Sequence, residues 1–126
     1  MQASGALAIL WEIQDRMDGH LRFHLERMLG IHHQVAALER AVQYAKERVV
    51  FGRPIGQNQA IAHPLAMAWA KLETAELITL KAAWLFDHGR PCGAESNTAK
   101  LLAAEAGFEA CDVAVQTHGG YGYAKE

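Results

Sequence analysis

With 126 residues the chain is shorter than the ~150 residues usual for one domain, so one domain over 1–126 is expected. Hydrophobic residues make up 51%, and 12 basic against 14 acidic side chains leave a formal charge of −2 with both signs scattered. That balance excludes disorder and argues against a polyanion or membrane-surface binder, so neither nucleic acid nor a membrane is an expected partner. Cys92 and Cys111 form no C-x-x-C pair, which points to a reducing compartment and a cytoplasmic protein. There is no charged leader before the short apolar run Ala6 to Trp11. The stretch Ala60 to Ala70 falls far short of the ~18 residues of a membrane span.

Residues 1–19 hold a weakly amphipathic piece (Leu7, Leu10, Trp11, Ile13, Met17) closed by Asp18-Gly19. The bundle proper is expected over 20–126. Leu21, Leu25, Met28, His32, Val35, Leu38, Val42, Ala45 and Val49 recur in steps of three and four, which predicts a helix from about His20 to Phe51. Gly30 inside it marks an expected close approach of a neighbour. Gly52, Pro54 and Gly56 make the turn.

The second helix carries the stripe Ile61, Leu65, Ala68, Leu72, Ala75, Thr79, Ala82 and Phe86, widened into a broad apolar face by Trp69, Leu77, Leu80 and Trp84. Pro64 leaves two starts open, near His63 or at Asn58 with a kink. Gly89 and Pro91 end it. A third, alanine-rich helix is predicted from about Ser96 to Thr117, with Leu102, Phe108, Cys111, Val113 and Val115 as its bulk. No alternating strand pattern competes. Short connections force the three long helices antiparallel, so the expected fold is all-α, an up-and-down bundle of three helices plus the N-terminal piece. Faces this broad ask for a fourth partner: the N-terminal piece or another copy of the chain.

His20 and His24 stand one turn apart, but no H-E-x-x-H or Glu-x-x-His completes a ligand set, and no metal is expected. Only Ser4 and Ser96 are available as serine nucleophiles, without a G-x-S-x-G elbow. Gly119-Gly120-Tyr121-Gly122 follows a helix, not a strand, which excludes a dinucleotide strand-turn-helix site. The remaining constellation lies at helix ends: Lys46, Arg48, Arg53, Asn58 and Gln59 around the first turn, and Gln116, His118, Gly119 and Gly120 after the third helix. An up-down-up path brings these to one end of the bundle, where arginine forks suit phosphate and a glycine pair admits a ligand to the backbone. The alternative is that the cations complement a helix dipole and the glycines only cap.

The run Tyr44-Ala45-Lys46-Glu47-Arg48-Val49-Val50-Phe51-Gly52-Arg53-Pro54-Ile55-Gly56-Gln57-Asn58-Gln59 resembles the YAxERxxFGxPIxxxQ signature of the acyl-CoA dehydrogenase family. Gln116-Thr117-His118-Gly119-Gly120-Tyr121-Gly122-Tyr123 resembles that family's second signature, QxxGGxGY, and the likeness runs from about Glu39 to Glu126. The resemblance implies the family's C-terminal four-helix bundle, part of a homo-oligomeric (dimeric or tetrameric) flavoprotein of fatty acid metabolism. Such an enzyme takes hydrogen from the α and β carbons of an acyl-CoA substrate, with FAD as acceptor. It further implies that Arg48 meets the FAD pyrophosphate, that Phe51 and Gln59 line the adenosine side, and that Gln116, Gly119 and Gly120 touch the same cofactor, held mainly by a neighbouring subunit.

Glu26-Arg27 resembles the Glu-Arg pair of members that carry the base on the first bundle helix, one helical turn closer to Arg48 than is usual. Glu26 is therefore the candidate catalytic base and Arg27 the candidate substrate contact, the alternative for Glu26 being a surface carboxylate. The sequence ends at Glu126, directly after the second signature, ahead of the family's fourth bundle helix and its later base-carrying loop. The 126 residues alone are thus expected not to oxidise acyl-CoA. A second reading, of another class, is a helical assembly module that keeps the packing without the chemistry.

Overall fold

The computed structural model describes residues 19–124, with side chains described from Gly30 onward. The N-terminal piece expected over 1–19 lies outside the described residues except for Gly19. Helix α1 runs Gly19–Glu47, followed by a minimal hairpin of β1 (Val49–Val50) and β2 (Arg53–Pro54) and a 3₁₀ turn at Ile55–Gln57. Helix α2 covers Gln59–Asp87, α3 covers Gly93–His118, and a 3₁₀ turn at Gly119–Tyr123 closes the chain.

The first helix stops four residues before the expected Phe51. Two β-branched valines disfavour continuing the helix, and the chain pairs Val49 with Pro54 and Val50 with Arg53 in antiparallel register. Phe51 (φ 52°) and Gly52 (φ 80°) both take left-handed backbone, the requirement of the tight turn whose twist matches a two-residue hairpin. The absence of strand expected from the sequence is corrected by this short ladder alone.

The earlier of the two starts left open for the second helix is the one adopted. Asn58 is the N-cap, and its carbonyl accepts from Ile61 and Ala62 at 3.0 and 2.9 Å. Pro64 sits inside α2 near its start, so the bond it cannot donate costs only the carbonyl of exposed Ala60. The helix ends as the sequence predicts. Gly89 takes φ 62°, its N–H bonds to Phe86 O at 2.9 Å, and Arg90 N–H reaches Leu85 O at 2.9 Å, a Schellman closure. Helix α3 begins at Gly93 rather than Ser96.

Lys71 pairs with Glu109 and Lys81 with Glu95, which fixes α2 and α3 antiparallel, while Tyr44 meets His118 and Gln34 meets Gly107, which fixes α1 and α3 parallel. The result is the expected all-α, up-down-up bundle. Helix α3 packs against both α1 and α2 more closely than those two pack on each other, so it lies between them and leaves the fourth corner of the bundle open.

The seam of α1 is Ile31, Leu38, Ala41 and Ala45, with Val35, Ala37 and Val42 half-buried, whereas His32 and Val49 of the expected stripe are exposed. Helix α2 buries Leu65, Ala68, Leu72, Ala75, Thr79 and Ala82, as its periodicity predicts, and Thr79 Oγ1 donates to Ala75 O at 2.7 Å. Phe86, Trp69, Leu77, Leu80 and Trp84, which the periodicity places in the broad apolar face, are exposed, and of these Trp69 lines the groove at the open corner.

Helix α3 turns its small residues inward, with Leu102 and Val113 half-buried beside them. Its buried face is Ala99, Ala103, Ala106, Gly107, Ala110 and Ala114, while Phe108 and Cys111 face outward. A helix wedged between two others needs small residues on its inner face. At Gly107 an added Cβ would lie 2.0 Å from Gln34 Nε2, so the close approach expected at Gly30 occurs here instead. At Gly30 a Cβ would meet no described atom within 4 Å.

Candidate functional site

The described residues that the sequence singles out for cofactor binding all stand at one end of the bundle, where α1 ends, α2 begins and α3 ends. Arg48 is the first residue beyond α1. Its N–H bonds to Tyr44 O at 2.8 Å, and its carbonyl accepts from Ile55 N–H at 2.9 Å, locking the base of the hairpin to the helix. Arg53 Nη2 donates to Asn58 Oδ1 at 2.6 Å and Asn58 Nδ2 donates to Ile55 O at 3.1 Å, which ties the hairpin to the start of α2. Arg53 and Asn58 of the helix-end constellation are therefore structural. Gly56 is required by closeness, since a Cβ there would sit 3.1 Å from Ala45 O.

Phe51 is wholly exposed (102%) at the hairpin tip, on a backbone that L side chains adopt at a cost of about 1–2 kcal/mol. The ring is buried by none of the described residues, so nothing in the described fold accounts for a bulky apolar side chain on that backbone. Gln59, the first residue of α2, and Gln116, in the last turn of α3, are exposed at the same end of the bundle.

The three glycines of the closing turn differ in their reasons. Gly119 takes φ 59°, and a Cβ at Gly122 would lie 2.6 Å from Val115 O, so local geometry demands both. Gly120 has an ordinary φ and nothing within 4 Å of an added Cβ, so the fold does not need glycine there. Exposed backbone without a side chain is what a ligand resting on the chain needs.

Two depressions flank α1 at this end. On one side, between α1 and α2, lies an apolar groove of about 540 Å³ walled by Leu38, Val42, Ala45, Leu65, Ala66 and Trp69, with Lys46 at its edge. It is the open corner of the bundle. On the other side, between α1 and the end of α3, a cleft of about 640 Å³ is lined by Arg40, Tyr44, Arg48, His118, Tyr121 and Ala124. Tyr44 forms its floor, stacked on His118 with ring centroids 4.7 Å apart and tilted against Tyr121 at 6.4 Å. His118 Nδ1 lies 2.7 Å from Ala114 O, and since a carbonyl only accepts, Nδ1 carries the proton.

Lys46, grouped with Arg48 by sequence, thus belongs to the opposite side of the helix. Arg40 and Tyr121, to which the sequence reading gave no role, belong to the cleft. The signal was present: Arg40, Tyr44 and Arg48 follow one another at one-turn intervals along a single face of α1. Glu26 and Arg27 lie on the backbone of α1 about 33 Å of helical rise from Arg48, their side chains outside the described residues. No three His, Cys, Asp or Glu side chains gather into a metal-ligand set among the described residues.

Residues 19–126 match the family described as acyl-CoA dehydrogenase, C-terminal domain, and the chain belongs to that family. It is 50% identical over 91 residues to the probable acyl-CoA dehydrogenase YngJ of Bacillus subtilis, an alignment covering 72% of this chain and 24% of that protein. Butyryl-CoA dehydrogenase from Megasphaera elsdenii superposes with a TM-score of 0.75 at 34% identity, over 80% of this chain and 26% of that one. PigA, solved with FAD and proline, superposes with a TM-score of 0.78 at 30% identity, over 80% and 26%. The chain spans about a quarter of the length of the curated relatives it matches. No helix among the described residues is long and apolar enough to cross a membrane.

Proposed function

We propose that this chain is the helical domain of an FAD-dependent acyl-CoA dehydrogenase acting on CH–CH bonds of acyl-CoA thioesters in fatty acid metabolism, and that it works as a cytoplasmic homo-oligomer. The observation that carries the cofactor reading is that one end of the bundle gathers residues its own packing does not account for: exposed Phe51 on left-handed backbone, Gly120 with room for a side chain, and Arg48 in the cleft. The similarity to PigA, solved with FAD, agrees with it.

In this reading Arg48 holds the pyrophosphate through a two-pronged guanidinium. Phe51 and Gln59 cover the adenosine, and Gln116, Gly119 and Gly120 let the cofactor rest on the end of α3. Bound FAD would supply the acceptor for one hydride, which carries both electrons of the oxidation. The chain's own residues orient it and shield it from water. Glu26 is the candidate base and Arg27 the candidate substrate contact, supported by the Glu-Arg resemblance alone. The 126-residue polypeptide by itself does not turn over acyl-CoA, because the cluster described supplies cofactor contacts without a base fixed near them.

Titration of purified protein with FAD, followed by flavin fluorescence, tests the reading. Binding that Arg48→Ala weakens and Lys46→Ala leaves alone is expected. Absence of binding favours the assembly-module alternative.

The open corner supports the oligomer. Trp69, Leu77, Leu80 and Trp84 are exposed along α2, and burying such side chains is worth about 1.5–3 kcal/mol each. A dimer or dimer of dimers is expected in sedimentation, dissociated by Trp84→Glu. A single 13.8 kDa species would instead assign the corner to residues 1–17.

A further inference from the structure

The cleft beside α1 holds more positive charge than the cofactor reading uses. Arg40 and Arg48 both line it, two turns apart, with Tyr44 midway, and no carboxylate among the described residues shares the lining. The ion pairs among the described residues, Lys71–Glu109 and Lys81–Glu95, involve neither arginine. Glu47, the carboxylate next to Arg48 in sequence, accepts from Gln43 Nε2 on another face of the helix. Two guanidiniums about 12 Å apart along the helix, with no counter-charge among the described residues, repel each other weakly, and an anion bound between them removes that repulsion.

We infer that Arg40 is a second phosphate-binding residue, and that Arg40 and Arg48 together clamp the diphosphate of a nucleotide lying over Tyr44. The inference rests on the FAD reading for its ligand and adds a residue to it. A diphosphate presents oxygens to two forks at once, which a single carboxylate does not. The cleft, at about 640 Å³, is larger than a phosphate pair requires, and its remaining wall is aromatic. His118, donating through Nδ1 to Ala114 O, keeps Nε2 as an acceptor when neutral. An acceptor there suits a ribose hydroxyl and not a phosphate oxygen, so the diphosphate lies toward the arginines and the sugar toward α3.

The test titrates the intact chain with inorganic pyrophosphate and with FAD by calorimetry at low salt, with helicity checked by far-ultraviolet circular dichroism. Arg40→Gln is expected to weaken both ligands about tenfold, as Arg48→Gln does. Arg40→Lys should recover part of that loss. Lys46→Gln removes the same charge from the same helix, and because Lys46 lines the opposite groove it should change either affinity less than twofold. If Arg40→Gln matches Lys46→Gln with both ligands, Arg40 has no specific role and the FAD reading survives without it. If pyrophosphate binds with the predicted pattern and FAD does not bind, the clamp stands and the FAD reading falls. If the unaltered chain binds neither ligand, both are wrong.

Discussion

The two sides of α1 differ in what they leave unfinished. Toward α2, Leu38, Val42 and Ala45 look into a groove whose walls are aliphatic and aromatic, and what is missing there is packing. Toward the end of α3, Arg40, Tyr44 and Arg48 look into a cleft that no carboxylate among the described residues lines, which suits the anion proposed there. Neighbouring residues fall on opposite sides: Lys46 belongs to the first and Arg48 to the second. In the proposed reading one helix divides an assembly surface from a binding surface, and substitutions on its two faces should separate stability from affinity.

The largest effect expected is on the packing side. Leu38 is almost wholly buried at the floor of the groove, and Leu38→Ala should lower unfolding free energy by about 2–5 kcal/mol in urea titration. Per bound ligand, the affinity of the fraction still folded should be unchanged. Arg48→Gln should do the reverse, with stability within about 0.5 kcal/mol of the unaltered chain and FAD affinity lost. A parallel loss of stability and affinity in both variants would erase the distinction between the two faces.

The glycines of the closing turn sharpen the same contrast within four residues. Gly122→Ala places a methyl 2.6 Å from the Val115 carbonyl, a backbone atom that cannot swing away, and should cost about 1–3 kcal/mol. Gly120→Ala meets nothing, so its melting temperature should hold while FAD binding weakens. Equal destabilisation by the two would show that Gly120 is needed by the fold after all.

Phe51 gives a gain where the others give losses. Asn tolerates left-handed backbone, so Phe51→Asn should stabilise the chain by about 1 kcal/mol, read as a higher urea midpoint, and weaken FAD binding at the same time. A destabilised Asn variant would mean that the ring packs against something within the fold.

Much of this was legible in the sequence because helical periodicity and turn chemistry act locally. The α2 stripe and the closure at Gly89 follow from spacing and from glycine's tolerance of positive φ, and the two signatures sit at helix ends as an up-down-up path demands. What was not legible depends on tertiary distance. The composition of α3 does not say which face turns inward: the buried side is alanine and glycine, with Leu102 and Val113 half-buried against it, because the gap between α1 and α2 decides. Gly30 and Gly107 are indistinguishable as letters, and only the position of Gln34 makes one of them a close approach. Lys46 and Arg48 read as one cationic cluster until the helix surface separates them, and Arg40, eight residues before Arg48 and outside both signatures, joins the cleft only through the helical face it shares with Tyr44.

The smallest effect expected lies at the far end of the bundle, between α2 and the start of α3, and bounds how much of the stability is electrostatic. Glu95, in the first turn of α3, has its carboxyl held below the usual 4.5 by its own backbone N–H and by Lys81, whose Nζ is 3.2 Å away. A carboxylate depressed in the folded state stabilises the chain above its unfolded pKa, and that contribution drains away as pH falls through the folded value. Stability should therefore drop as pH is lowered below about 4.5, and Glu95→Gln should flatten that limb of the profile while changing little at pH 7 in salt. FAD affinity in the same variant should be untouched, because the Lys81–Glu95 pair and the Arg40–Arg48 cleft lie at opposite ends of the helices. A change in affinity with Glu95→Gln would mean that the two ends communicate through α3, the helix packed between the other two, and the separation of faces along α1 would no longer be the whole account.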